Sequence, residues 1–180
     1  MKSIVLVFAI LAIAVLFLGC KRGSSDISPQ KSGVVTFSDA GVSIEVGTGW
    51  ARVDKKDPGL PICPPVLLGA AGTVNAMLFD PKILDMQAAA NVMRLRFDHD
   101  GDAIRDSYQQ EAFTADGGLC GRHISYSETM EKDGRIEEMR CHIFIVQRQD
   151  RRCVIINYIT TPSTDSDTVR QTIQKSLKLL

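Results

Sequence analysis

Residues 140–146 and 153–159 read Arg-Cys-His-Ile-Phe-Ile-Val and Cys-Val-Ile-Ile-Asn-Tyr-Ile, two nearly continuous apolar runs. A strand with one wet face shows a polar residue at every second position. These runs do not. Cys141, Ile143 and Ile145 point to one side of such a strand and His142, Phe144 and Val146 to the other, so both sides of the sheet must be covered. The helical segments of the chain are the expected covers. The reading is an α+β fold of mostly antiparallel strands with helices on both faces, a three-layer α/β/α sandwich stabilised chiefly by apolar burial.

The remaining elements follow from period and punctuation. Val34 to Phe37 and Val42 to Val46 are short β-type runs joined by Ser38-Asp39-Ala40-Gly41, a hairpin turn signal. Val66 to Leu68 and Val74 to Phe79 are further strands separated by small residues. From Pro81 the apolar residues Ile83, Met86, Ala89 or Ala90, Met93 and Phe97 recur every three or four positions, which predicts a helix with Asp80 and Pro81 at its start. Four strand-like segments follow, Ala103 to Thr114, Leu119 to Met130, Ile136 to Gln147 and Cys153 to Thr160. Their turns fall at Asp116-Gly117-Gly118, Asp133-Gly134 and Gln149-Asp150. A closing amphipathic helix opens near Pro162 and Thr164, with Val169, Ile173 and Leu177 on one stripe.

The N-terminus has a different character. Lys2 precedes an unbroken apolar run from Ile4 to Leu18, and Gly19 stands before Cys20. Fifteen residues of helix reach about 22 Å against a hydrocarbon core of about 30 Å, too short to span. The segment resembles a bacterial lipoprotein signal peptide. That resemblance implies cleavage after residue 19, lipidation of Cys20, a membrane anchored through lipid and a place in the cell envelope. Lys21 after the cysteine implies the outer membrane where there are two. Residues 20–32, mostly polar, with four Ser, one Gly and one Pro, then read as a flexible tether, and residues 33–180 as one globular domain.

Charge narrows the partners. Removing Lys2 from 21 basic residues leaves 20 against 21 acidic ones, a net −1, which argues against nucleic acid. With Cys20 lipidated, Cys63, Cys120, Cys141 and Cys153 remain. A turn at Gln149 and Asp150 sets Tyr158 opposite Cys141 and Val146 opposite Cys153, so those two thiols do not meet. A bridge from Cys63 and a set of four reduced thiols both stay open.

The unit Gly41-Val42-Ser43-Ile44-Glu45-Val46-Gly47-Thr48-Gly49-Trp50, followed by a central helix, a run of hairpins and a C-terminal helix, resembles the PsbP-like α/β/α sandwich over residues 33–180. That family includes an extrinsic photosystem II protein, nuclear-transport regulators and small envelope lipoproteins. The resemblance implies a protein that binds and assists other proteins, with no shared catalytic residue.

The residues themselves offer little chemistry. His99, His123 and His142 lie in no recognisable motif, and Cys141 and His142, as strand neighbours, face opposite ways. His142 reads as a core histidine with a satisfied hydrogen bond. Asp98-His99-Asp100-Gly101-Asp102 is the one cluster of hard oxygen ligands, but counting from Asp98 puts Ala103 and Gln109 where a calcium loop needs Gly and Glu. No catalytic residue, cofactor or metal site is assigned. Arg148, Arg151 and Arg152 at a hairpin tip read as solvated charges or as contacts to lipid phosphates. Trp50 with Leu60, Pro61 and Ile62 is the candidate surface for an envelope protein partner, because prolines pre-order an apolar loop for docking. The function expected is a non-catalytic binding or accessory lipoprotein. The alternative is a small envelope hydrolase or metal-dependent enzyme, which requires His99 or His142 in a cleft with carboxylates.

Overall fold

The computed structural model describes residues 25–30, 33–55, 66–132 and 134–180. The lipidation candidate Cys20, the loop residues Leu60, Pro61 and Ile62, and Cys63 lie outside them. The strands are β1 (Ser25–Gln30), β2 (Gly33–Phe37), β3 (Val42–Val46), β4 (Trp50–Lys55), β5 (Val66–Gly69), β6 (Gly72–Leu78), β7 (Gln109–Thr114), β8 (Cys120–Lys132), β9 (Arg135–Gln147), β10 (Cys153–Thr160) and β11 (Lys178–Leu179). The helices are α1 (Met86–His99) and α2 (Asp167–Ser176).

Eight strands form one antiparallel sheet in the order β1-β4-β5-β6-β10-β9-β8-β7, and β11-β3-β2 form a second. Strand β10 lies between β6 and β9, and all eight of its residues are buried. The two-sided burial expected of these runs is observed for Cys141–Val146 and for 153–159, while Arg140 is exposed. On one face, Ala89, Ala90, Met93 and Phe97 of α1 pack with Ile124, Ile143, Ile145 and Ile155. On the other, Phe37, Val42 and Ile44 pack with Phe144, Val146, Val154 and Ile156.

The second face overturns the three-layer reading. Helices do not cover both sides. One face carries α1, and the other is closed mainly by the three-stranded sheet, with Ile173 of α2 and Leu177 just after it filling in beside it. The cause is length. Ten residues of helix extend about 15 Å, whereas eight strands span roughly 34 Å across the sheet. The β2–β3 hairpin supplies the missing cover because Val35 and Phe37 face inward from one strand and Val42, Ile44 and Val46 from the other. The α/β/α sandwich implied by the family resemblance is corrected with it.

Local chemistry explains other departures from the sequence reading. Helix α1 starts at Met86 rather than Pro81, because the Asp85 carboxylate accepts the Ala88 N–H at 2.8 Å and caps it. The Asp80 carboxylate accepts the Lys82 N–H in a preceding turn. The strand expected over Ala103 to Thr114 shrinks to β7. The Ser107 hydroxyl donates to the Ile104 carbonyl and accepts the Ser127 N–H at 2.8 Å, and a short 3-10 turn at Arg105–Ser107 takes the place of the ladder. Residues 25–30, within the stretch expected as a tether, pair along β4. The β9–β10 register differs by one residue from expectation, with Cys141 opposite Ile159 and Cys153 opposite Gln147. Those two cysteines are free and buried, and Cys120 is free and exposed.

One glycine holds the packing at the β7–β8 edge. A methyl group at Gly121 would fall against the Phe113 ring and 2.8 Å from the Ile145 carbonyl oxygen. Phe113 is itself set edge-on to Phe144 at 5.9 Å, which limits its retreat. Gly121→Ala should therefore destabilise the fold by about 1–3 kcal/mol, measured as a lower urea midpoint. Gly117→Ala, where an added methyl meets nothing within 4 Å, should change it by less than about 0.5 kcal/mol.

Candidate functional site

The strand register gathers two of the three histidines on the face covered by the second sheet. Glu111 of β7 lies directly opposite His123 of β8. His123 lies opposite Phe144 of β9, and His142 of β9 lies opposite Tyr158 of β10. His123 and His142 are thus diagonal neighbours, within reach for ring side chains.

They form a continuous polar chain through the core. Glu111 Oε1 is 2.9 Å from His123 Nδ1. His123 Nε2 is 3.1 Å from His142 Nδ1. His142 Nε2 is 3.2 Å from Oδ1 of Asp165, in the connection between β10 and α2. The two imidazoles lie within 20° of one plane with centroids 5.3 Å apart, the spacing of rings meeting edge to edge through a nitrogen–nitrogen contact. Phe144 lies nearly parallel to His123 at 4.8 Å and Tyr158 to His142 at 5.5 Å, so aromatic faces flank the pair.

Burial pushes His142 down to about 4, against the opposing pull of Asp165 and helped by His123 and Arg170. Burial likewise lowers His123, against the hydrogen bond and charge of Glu111. Desolvation outweighs the carboxylates because an imidazolium loses its hydration in the core. The two ends of the chain are unlike. The Asp165 side chain is 14% exposed and has Arg140 at 3.5 Å, whereas that of Glu111 is 65% exposed. An exposed ion pair contributes about 0.2–1 kcal/mol, while a buried polar group left without a partner costs about 1–3 kcal/mol. The Glu111 contact is the least costly of the three to lose.

A polar cavity of about 340 Å³ opens at that end, lined by Gln109, Gln110, Glu111, His123, Ser125 and Arg170. A second groove of about 370 Å³ runs between α2, the Val46 to Trp50 segment and the β5–β6 turn. Trp50, expected on a docking surface, is only 6% exposed and belongs to the core. A methyl group on Gly69 would sit 2.9 Å from its indole, so close packing explains both residues.

The chemistry available is narrow. The nitrogens of His123 and of His142 face Glu111, each other and Asp165, and no hydroxyl or thiol is among those partners. Cys141 is buried in the cluster beneath α1, away from His142 as expected, and burial holds its thiol well above its usual range. His99 lies at the exposed end of α1. Among the described residues no three or more His, Cys, Asp and Glu side chains are placed to hold a metal ion, and no helix is long and apolar enough to cross a membrane. At the β9–β10 tip Asp150 pairs with Arg152 at 2.8 Å and Arg148 at 3.4 Å.

Sequence reasoning treats His142 as an isolated core residue. The signal for its partner lay in the Asp133-Gly134 turn, which sets Lys132 opposite Arg135 and hence His123 opposite Phe144 and His142 opposite Ser125.

Comparison with known proteins is sparse. No family model matches the chain, and no curated protein does. Among solved structures it is similar to LpqN, involved in cell envelope biogenesis of Mycobacterium tuberculosis. That similarity has 12% identity over 87% of this chain and 92% of that one, with a TM-score of 0.42. At that level the likeness carries no argument about this chain.

The buried imidazole has a consequence for stability. The unfolded chain takes up a proton near the ordinary 6.5, while folded His142 resists to about 4. The unfolded state therefore binds more protons between these values, and stability falls as pH drops from 6.5 towards 4. The full effect is on the order of 3 kcal/mol. Urea midpoints at pH 7 and pH 4 should show a markedly smaller acid loss in His142→Gln than in the native chain. Equal losses in the two proteins would contradict this role.

Proposed function

We propose that the chain is a lipid-anchored protein of the cell envelope that works by binding or assisting a partner, without catalysis. The observation that carries the anchoring is the segment from Lys2 through the apolar run to Gly19 and Cys20. Two acyl chains, each contributing about 0.8 kcal/mol per buried CH₂, hold a domain at a bilayer without any spanning helix. Where the cell has two membranes, Lys21 favours the outer one by resemblance to sorted lipoproteins.

The non-catalytic reading draws support from the Cys141 thiol, buried and held well above its usual range, and from the pairing of His123 and His142 with each other and with carboxylates rather than with a nucleophile. With Trp50 in the core, partner contact falls to Leu60, Pro61 and Ile62 in the connection between β4 and β5, an apolar, proline-bearing segment suited to docking.

Two measurements test these readings. Cys20→Ser should abolish incorporation of labelled fatty acid and move the protein from the membrane to the soluble fraction. Retention of label would refute the anchor. In intact cells, Leu60→Ala with Ile62→Ala should remove at least one cross-linked species. If every species persists, the partner surface lies elsewhere.

A further inference from the structure

The four groups Glu111, His123, His142 and Asp165 make three contacts, and each contact needs one proton between its two atoms. Two carboxylates and two neutral imidazoles bring only two. With both carboxylates ionised, Asp165 accepts a hydrogen bond from His142 Nε2–H and Glu111 accepts one from His123 Nδ1–H. His123 Nε2 and His142 Nδ1 are then two bare lone pairs facing each other in the core. A third proton, shared between the two rings, completes the chain. We infer that the arrangement is a proton-gated latch in which the exposed Glu111 carboxylate docks on His123 when the histidine pair carries this extra proton and is released when it does not.

The asymmetry of the ends decides which contact opens. Without the extra proton, His123 places its single proton on Nε2 and donates to His142 Nδ1, while His142 Nε2–H donates to Asp165. Both buried contacts are kept. His123 Nδ1 is then a bare acceptor facing a carboxylate, and Glu111, two-thirds exposed, turns to water. Asp165 is not equally free: its side chain is mostly buried, and Arg140 approaches it at 3.5 Å.

The charged and titratable groups around the pair are consistent with a proton that enters only in acid. Glu111 faces it from β7, Arg140 from β9, Tyr158 from β10, Asp165 from the loop before α2, and Arg170 from α2. Asp167 pairs with Arg170 at 2.7 Å. Burial and Arg170 lower both rings, so the pair is short of its third proton at neutral pH. The flanking faces of Phe144 and Tyr158 accommodate a cation when it forms. Because Glu111 and His123 line the same polar cavity, release of Glu111 exposes the Nδ1 lone pair to that cavity.

The full-length chain carrying ¹⁵N-histidine, held in detergent micelles, tests this by ring nitrogen shifts across a pH titration. His99 serves as the exposed reference. At pH 7.5, His123 should carry its proton on Nε2 with Nδ1 bare. On acidification both rings should change in one shared first step, as Nδ1 gains its proton. Glu111→Gln supplies an amide N–H that bonds the bare Nδ1 without an extra proton, so that variant should lower the midpoint of this step by about half a pH unit. A protonated His123 Nδ1 at pH 7.5, or identical midpoints in the native chain and Glu111→Gln, would overturn the latch.

Discussion

Strand β10 and the second half of β9 are dry on both sides, and the rest of the molecule is arranged around that condition. Every residue of β10 is buried, as are six successive residues of β9 from Cys141 to Val146. Hydrocarbon buried at ~25 cal/mol per Å² drives the association. The corollary is that any polar side chain in these strands must bring its partner into the core. Asn157 does so with Asn75 at 2.9 Å, Tyr158 donates to the Ala71 carbonyl at 2.9 Å, and His142 does so with His123 and Asp165.

The histidine chain is therefore a product of the same packing that forms the core. An unpaired imidazole in β9 would be costly. Paired with a second ring, and then with a carboxylate at each end, it becomes an internal line of hydrogen bonds running from the mostly buried Asp165 to the exposed Glu111. Low surrounding polarity strengthens each bond and penalises each missing proton. A site that is satisfied structurally is thereby made sensitive to protonation.

The cover of the second face bears on the same site. Helix α2 is short, and the β2–β3 hairpin with β11 takes over much of the burial. The connection leading into α2 brings Asp165 to His142, while the helix itself carries Arg170 to the cavity wall. Glu111 stays in contact with solvent on β7, the edge strand of the large sheet.

Periodicity and turn residues determined β8, β9 and β10, their hairpin connections, the opposed faces of Cys141 and His142, and the need for cover on both sides, but not β11. These follow from the two-residue repeat of a strand and from turn residues, which are local. Tertiary structure decided what the covers were, because helix length and hairpin shape compete for the same apolar surface. It also placed Trp50 in the core, through its packing against Gly69. The histidine pair required the register of β8 on β9, and its two ends required β7 and the loop before α2. The turn before β9 hints at the histidine pair, but no local pattern announces the contact of His142 with Asp165, 23 residues away, since only closure of the fold brings those atoms within bonding distance.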